Sequence, residues 1–259
     1  MIRKLAKIPI IKKVVKATFL YDIGNKILDI ISPNGLPKYK IKRLIGKNPT
    51  ILEIGANDGG DSVAFFQIIP NARMYCFEPH PIASERFRKR ISELKKRKKI
   101  NCRFFELAIS DKNGTAEFNA CIDDCYSAQS SLKLPKNILK DNKSPSAYGK
   151  KITVKTQKLD TWYEKNNPGM IDFIWADVEG AERELIHGGK KTLNEKTRYF
   201  YTEFSDNEEF ENQPKLKEIL SMLPKFELIG IYGGNALLKN KKNMGHHTLK
   251  GVVCKAPCF

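Results

Sequence analysis

The chain has 259 residues, of which 41% are hydrophobic and 29% charged, and 46 Lys and Arg against 29 Asp and Glu give a formal net charge of +17. That length holds one large α/β core or two small ones, and the composition is that of a soluble globular protein. The charge points either to an acidic partner (phospholipid, nucleic acid or anionic polysaccharide) or to a lysine-rich habit of the source, and alone it does not choose.

Residues 1–46 read as a basic helical arm and 47–259 as one catalytic domain. From Met1 to about Ile31, the residues Leu5, Ile8, Ile11, Val15, Phe19, Ile23, Ile27 and Ile30 recur at helical spacing, with Lys4, Lys7, Lys12, Lys13 and Lys16 crowding the first half. Two readings of residues 1–31 stand: peripheral contact with an anionic membrane, or packing on the domain or a second subunit. Ser32–Pro37 is a turn cluster, and a short helix around Lys38–Gly46 leads into the first strand. Lysines interrupt every apolar stretch before it reaches about 18 residues, so neither a transmembrane run nor a signal peptide is expected. The expected location is cytoplasmic, with attachment at the inner membrane face left open by the arm.

Ile51–Pro81 reads as strand, glycine-rich turn, helix and second strand. Ile51, Leu52 and Ile54 form a strand buried on both faces, ending at Gly55. Gly55, Gly59 and Gly60 let the backbone turn sharply. A helix from about Ser62 to Ile69 follows, then the strand Arg73–Phe77, with Glu78 at its carboxyl end. Ligands of open α/β sheets bind outside the carboxyl strand ends, and an acid after the second strand can accept from both ribose hydroxyls of a nucleoside. The turn reads G-A-N-D-G-G, with Asn57 where a dinucleotide-binding turn has its second glycine, which suits a cofactor without a pyrophosphate.

Pro81–Lys99 begins as a helix, and Lys95–Lys99 ends it in keeping with the helix dipole. Without interleaved aromatics that run is a poor nucleic-acid platform. Cys102–Leu107 is a third strand, and Ala108–Asp111 would lie over the adenine side of a nucleoside pocket. Asn113–Gly114 turns into Thr115–Asn119, which pairs with Ile152–Gln157. Residues 120–150 are irregular and read as a substrate-covering loop. The cysteines read as reduced thiols: Cys121/Cys125 and Cys254/Cys258, near His246–His247, lack the tighter spacing of a zinc site.

Ile171–Ala176 is a strand, with Asp177 at its carboxyl end and Glu179 beyond. Such carboxylates can take a proton from an acceptor hydroxyl, hold a divalent metal, or position the acceptor. Glu179 and Glu182 also suit the start of a helix over Ala181–Gly188. Arg198–Phe204 is a strand carrying Glu203 toward the same rim. Pro214–Leu223 is an amphipathic helix. Phe226–Tyr232 and Thr248–Lys255 read as two strands, the last antiparallel. His187, His246 and His247 read as structural or solvated.

In order along the chain stand E-I-G-A-N-D-G at Glu53–Gly59, F-E-P at Phe77–Pro79, A-I-S-D at Ala108–Asp111, S-S-L at Ser130–Leu132, L-D at Leu159–Asp160 and I-D-F-I-W-A-D-V-E-G-A-E at Ile171–Glu182. Over about residues 50–205 the chain resembles the FkbM-type S-adenosylmethionine-dependent methyltransferases. The resemblance implies a Rossmann-like, doubly wound seven-stranded sheet with its last strand antiparallel. It also implies transfer of a methyl group from S-adenosylmethionine to a hydroxyl of a sugar, polysaccharide or glycolipid-type acceptor. On that reading Glu53 and Asn57 hold the methionine end, and Gly55 and Gly59 form the turn. Glu78 holds the ribose, and Ala108 and Asp111 border the adenine. Asp177 is the first candidate base, then Glu179 or Glu203, acting directly or through a metal on Asp177 and Glu179. Trp175 stands where many members carry Lys. The rivals are a non-enzymatic adaptor at a membrane or assembly complex and, lacking the Asn/Asp-Pro-Pro-aromatic pattern, a nucleic-acid methyltransferase. Oligomerisation is left open.

Overall fold

A computed structural model describes residues 35–120, 130–134, 136, 150–207 and 209–242. The arm up to residue 34, most of the irregular loop, and the stretch holding His246, His247, Thr248–Lys255 and Cys254/Cys258 lie outside the described residues, as do Cys121 and Cys125. In chain order the elements are α1 (Lys38–Leu44), β1 (Thr50–Ile54), α2 (Gly60–Ile68), β2 (Arg73–Phe77), α3 (Pro81–Arg97), β3 (Asn101–Phe105), β4 (Ala108–Ile109) and β5 (Gly114–Ala120). There follow β6 (Lys150–Gln157), α4 (Leu159–Asn166), β7 (Ile171–Ala176), α5 (Glu182–Gly188), α6 (Lys190–Lys196), β8 (Thr197–Glu203), α7 (Leu216–Met222), β9 (Phe226–Tyr232) and β10 (Asn235–Asn240).

The main sheet has seven strands in the order β3-β2-β1-β7-β8-β10-β9. Its ladders are parallel except for the two made by β10, which runs against the rest. The central strands are buried along most of their length because both faces are covered. On one face Ile51, Met74, Cys76, Phe173 and Tyr201 pack against Ile41 of α1, Phe65 and Phe66 of α2 and Phe87 and Ile91 of α3. On the other, Leu52, Ile54, Tyr75, Phe77 and Ile174 meet Trp162 of α4, Leu185 of α5, Leu193 of α6 and Ile219 of α7. Burying each such side chain is worth about 1.5–3 kcal/mol. The doubly wound expectation is met. The described part of the arm, α1, packs on the domain through Ile41, and Ile45 just after it is also buried.

The last strand differs from expectation. Phe226–Tyr232 forms, but its partner is Asn235–Asn240, reached through Gly233–Gly234 with Tyr232 opposite Asn235. A Gly-Gly pair supplies the backbone freedom that a two-residue hairpin needs, and Gly233 has φ +62°. Asn235–Asn240 falls in the sequence between the two expected strands Phe226–Tyr232 and Thr248–Lys255, where six residues followed by Lys241 and Lys242 give little strand pattern.

A small second sheet has the order β4-β6-β5. Here the Thr115–Asn119 with Ile152–Gln157 pairing forms as expected, in antiparallel register. Helix α3 starts at Pro81 and ends within Lys95–Lys99 as expected: Pro at its first turn, His80 as N-cap, and Lys95, Lys96 and Arg97 in the last turn all favour it.

Candidate active site

Strand order reverses at β1, whose neighbours are β2 and β7, and the crevice for a ligand opens there. The turn after β1 hangs between the two neighbours. Gly55 and Ala56 donate N–H groups to the Phe77 carbonyl at 3.0 and 2.9 Å, while the Asp177 N–H donates to the Ile54 carbonyl at 2.9 Å. Gly55 has φ +89°, and a Cβ there would lie 1.7 Å from the Asp177 carbonyl oxygen. The room this glycine makes is therefore for the β7 backbone. Gly59 (φ +81°) caps α2, and its missing Cβ makes room for the Phe87 ring at 2.9 Å.

Asn57 adopts a left-handed conformation (φ +43°), which Asn tolerates. Its N–H donates to Glu78 Oε2 at 2.8 Å, and the His80 N–H donates to Glu78 Oε1 at 2.7 Å. The first loop thus clamps the acid at the end of the second strand. Burial pushes the Glu78 carboxyl up to about 7, opposed by those two hydrogen bonds. A carboxylate offers about four acceptor positions, so two remain free for ribose hydroxyls.

The cleft above these residues encloses about 610 Å³, open mouth included. Asn57 and Glu78 are polar features of its lining. Leu107, Ala108, Ile109, Phe118 and Leu132 build an apolar wall, and Asp177, Val178 and Glu179 close another side. This donor set fits S-adenosylmethionine: an acid with spare lone pairs for the ribose, an apolar slot for the adenine and carboxylates for the cationic end.

Asp177 follows β7. Its Oδ1 is shut off from solvent without a hydrogen-bond partner. Burial, then the negative charge of Asp61, raises its carboxyl to about 6. Glu179 (φ +51°) and Gly180 (φ +92°) make two consecutive left-handed steps. Ser131 Oγ donates to the Glu179 carbonyl at 2.5 Å, and Ser131 itself pairs with Asn119 of β5. The small sheet is thereby tied to the turn that carries the carboxylates. Burial, followed by the charges of Asp177, Glu182 and Glu209, raises Glu179 to about 8.

The residues named from sequence separate into two groups. Gly55, Asn57, Glu78, Ala108, Asp177 and Glu179 line the cleft; Glu53, Gly59, Asp111 and Glu203 do not. Glu53 was assigned to the methionine end, but it lies buried on the α2 side of the sheet. There it accepts a hydrogen bond from Ser62 Oγ, and Cys76 Sγ donates to it at 3.5 Å. Burial raises it to about 8. Strand alternation explains the difference, since Ile54 faces the cleft and the preceding residue must face away. Asp111 accepts from Ser110 Oγ at 3.3 Å. His187 is exposed on α5. The sequence reading missed Phe118 and His80. The inward alternation of Ala116, Phe118 and Ala120 was the available signal for Phe118. It also missed Lys38, whose ammonium lies 4.5 Å from the centroid of Trp175 and pairs with Asp61 at 2.5 Å.

Among the described residues no three His, Cys, Asp or Glu side chains converge as a metal site, so a cation on Asp177 and Glu179 would rest on two carboxylates. Among the same residues no helix is long and apolar enough to cross a membrane.

Residues 53–228 match the sequence model of the Methyltransferase FkbM domain. The chain is 41% identical over 203 residues to the 2-O-methyltransferase NoeI of Sinorhizobium fredii (strain NBRC 101917 / NGR234), a match covering 75% of this chain and 81% of that one. Similar solved structures include TrmK of M. capricolum in complex with S-adenosyl-homocysteine, with TM-score 0.41 and 11% identity over 84% of this chain and 73% of that one. Another is a methyltransferase from Geobacter sulfurreducens, with TM-score 0.40 and 12% identity over 78% and 75%.

Proposed function

The chain belongs to the FkbM methyltransferase family and is an S-adenosylmethionine-dependent methyltransferase; from that premise we propose that it methylates a hydroxyl oxygen of a carbohydrate acceptor. The likeness to NoeI supports oxygen as the acceptor atom and a sugar as its carrier. The observation that carries the reading is Asp177, an acid lining the same cleft as Glu78, with one carboxyl oxygen buried and unpartnered.

The cofactor, when bound, supplies an electrophilic methyl group on a sulfonium. Glu78 would accept hydrogen bonds from the ribose hydroxyls, and Asn57 holds that carboxylate in place. Leu107, Ile109, Phe118 and Leu132 line the cleft and would pack against the adenine and keep water out. Asp177 would take the proton of the acceptor hydroxyl whose oxygen displaces S-adenosylhomocysteine from the methyl carbon, the C–S bond breaking as the C–O bond forms. With its carboxyl near 6, Asp177 is mostly ionised at neutral pH and remains basic enough to help a weakly acidic hydroxyl. Alignment of the two reactants in a dry cleft supplies most of the acceleration. Glu53 works at one remove, fixing the start of α2 through Ser62.

The test is methyl transfer from radiolabelled S-adenosylmethionine to a panel of oligosaccharides, with the product's methyl group located by mass spectrometry. An alkali-stable methyl ether on a sugar ring is expected. Label in an alkali-labile ester, in an N-methyl group or in RNA would contradict the reading.

A further inference from the structure

The two helical layers of the main sheet differ in charge. Helices α1, α2 and α3, which cover the face of Ile51, Met74 and Phe173, hold eleven Lys or Arg and three Asp or Glu, a net charge of +8. Helices α4, α5, α6 and α7 on the other face hold six of each and are neutral. A lysine-rich habit of the whole chain would load both layers alike, so the excess belongs to one surface. That surface is continuous. Lys38 of α1 pairs with Asp61 at 2.5 Å and Arg90 of α3 pairs with Asp58 at 2.5 Å, so each flanking helix is tied to the start of α2. The outer cations are left over. Lys40, Lys42, Arg43, Lys89, Lys96 and Arg97 are all exposed, and none is ion-paired among the described residues.

Apolar side chains stand among these cations. Ile82 is 46% exposed, and Ile82, Lys89 and Lys96 follow one another at two helical turns, on one side of α3. Asp61 is the only charged residue of α2, whose Val63, Ala64 and Ile68 are half-buried. No aromatic ring of α1, α2 or α3 is exposed. Residues 1–34, which lead into α1, add seven Lys or Arg against two Asp. A broad cationic face with small apolar groups suits anionic headgroups over an acyl boundary. Single-stranded nucleic acid calls instead for exposed rings on which bases stack. We propose that the α1–α2–α3 layer is a docking face for an anionic lipid bilayer. The contact lies on the folded domain and does not depend on residues 1–34. The ligand cleft opens at the carboxyl ends of the strands, beside this layer and not beneath it, so docking leaves it accessible.

Cosedimentation of the full chain with vesicles tests this, using phosphatidylcholine alone and phosphatidylcholine mixed with phosphatidylglycerol. Binding to the mixed vesicles only, weakening as salt rises, is expected. Removing three cations from α3 in Lys89→Gln/Lys96→Gln/Arg97→Gln is expected to weaken that binding at least about tenfold. Lys40→Gln/Lys42→Gln/Arg43→Gln is expected to do the same from α1. Lys165→Gln/Lys190→Gln/Lys217→Gln makes an equal change of net charge on the opposite layer and is expected to stay within about twofold of wild type. Thermal unfolding near the wild-type temperature shows that each variant is folded. Failure of the wild-type chain to bind mixed vesicles overturns the proposal. So does equal binding by all three variants, which would trace the attraction to net charge or to residues 1–34. Binding of a random-sequence RNA that is lost in the α3 variant, with neither vesicle bound, would make the layer a nucleic-acid surface and overturn the lipid assignment.

Discussion

A Cβ on Gly55 would stand 1.7 Å from the carbonyl oxygen of Asp177. The glycine turn after β1 and the acid-bearing end of β7 are thus built against each other, and neither can move without the other. Gly55→Ala is expected to destabilise the fold by ~3 kcal/mol or more, through a backbone clash added to a left-handed φ. Denaturant unfolding measures it. A loss under about 1 kcal/mol would mean that the two segments are not in contact.

Glu78 is held by two backbone N–H groups and has lone pairs to spare. Glu78→Ala is expected to weaken S-adenosylhomocysteine binding at least about a hundredfold, because two hydrogen bonds to a charged acceptor are lost. Glu78→Gln, which keeps one acceptor oxygen, is expected to fall between the two. Calorimetric titration of the three proteins decides it, and equal affinities would remove Glu78 from the cofactor site.

Asp177→Asn is expected to lower kcat by about 100- to 10,000-fold while leaving cofactor affinity within a few-fold. Because the Asp177 carboxyl titrates near 6, wild-type kcat/KM is expected to rise with pH up to about that value and then level off. The variant is expected to lack that limb. A pH–rate profile of the two proteins is the check, and an unchanged limb in Asp177→Asn would assign the base elsewhere.

Glu182 is raised from 4.5 to about 8, chiefly by burial. Between those values the folded chain keeps a proton that the unfolded chain has released, so this residue's contribution to stability falls as pH rises through the window. Glu53, Glu179 and Glu203 act with the same sign. Glu182→Gln is expected to stabilise the cofactor-free protein by on the order of 1–3 kcal/mol at pH 8 and to give no gain at pH 5. Thermal unfolding at the two pH values tests it, and a gain at pH 5 with none at pH 8 would reverse the sign argued here.

Much of the fold was legible because its signals are local. Buried strands ending in Gly55 or Asp177, and the alternation of Thr115–Asn119 against Ile152–Gln157, announce themselves within a few residues. The Asn235–Asn240 strand was missed because six residues between a Gly-Gly turn and Lys241–Lys242 give too short a pattern. In the candidate site, Glu78 and Asp177 could be read from strand ends. That Glu53 lies off the cleft lining was not legible, because facing is a property of the pleat and one residue's difference turns a side chain to the opposite layer. Lys38 over Trp175 depends on how α1 packs across the sheet, and no local spacing encodes that contact.

The β1 turn and Glu78 together are expected to hold S-adenosylmethionine. Titration of the wild-type chain with S-adenosylhomocysteine, with NADH as the control ligand and Glu78→Ala alongside, tests it most directly. One-to-one binding of S-adenosylhomocysteine that is lost in the variant and not reproduced by NADH is the expected result. A folded wild-type chain that ignores S-adenosylhomocysteine, or binds NADH equally well, would contradict the account.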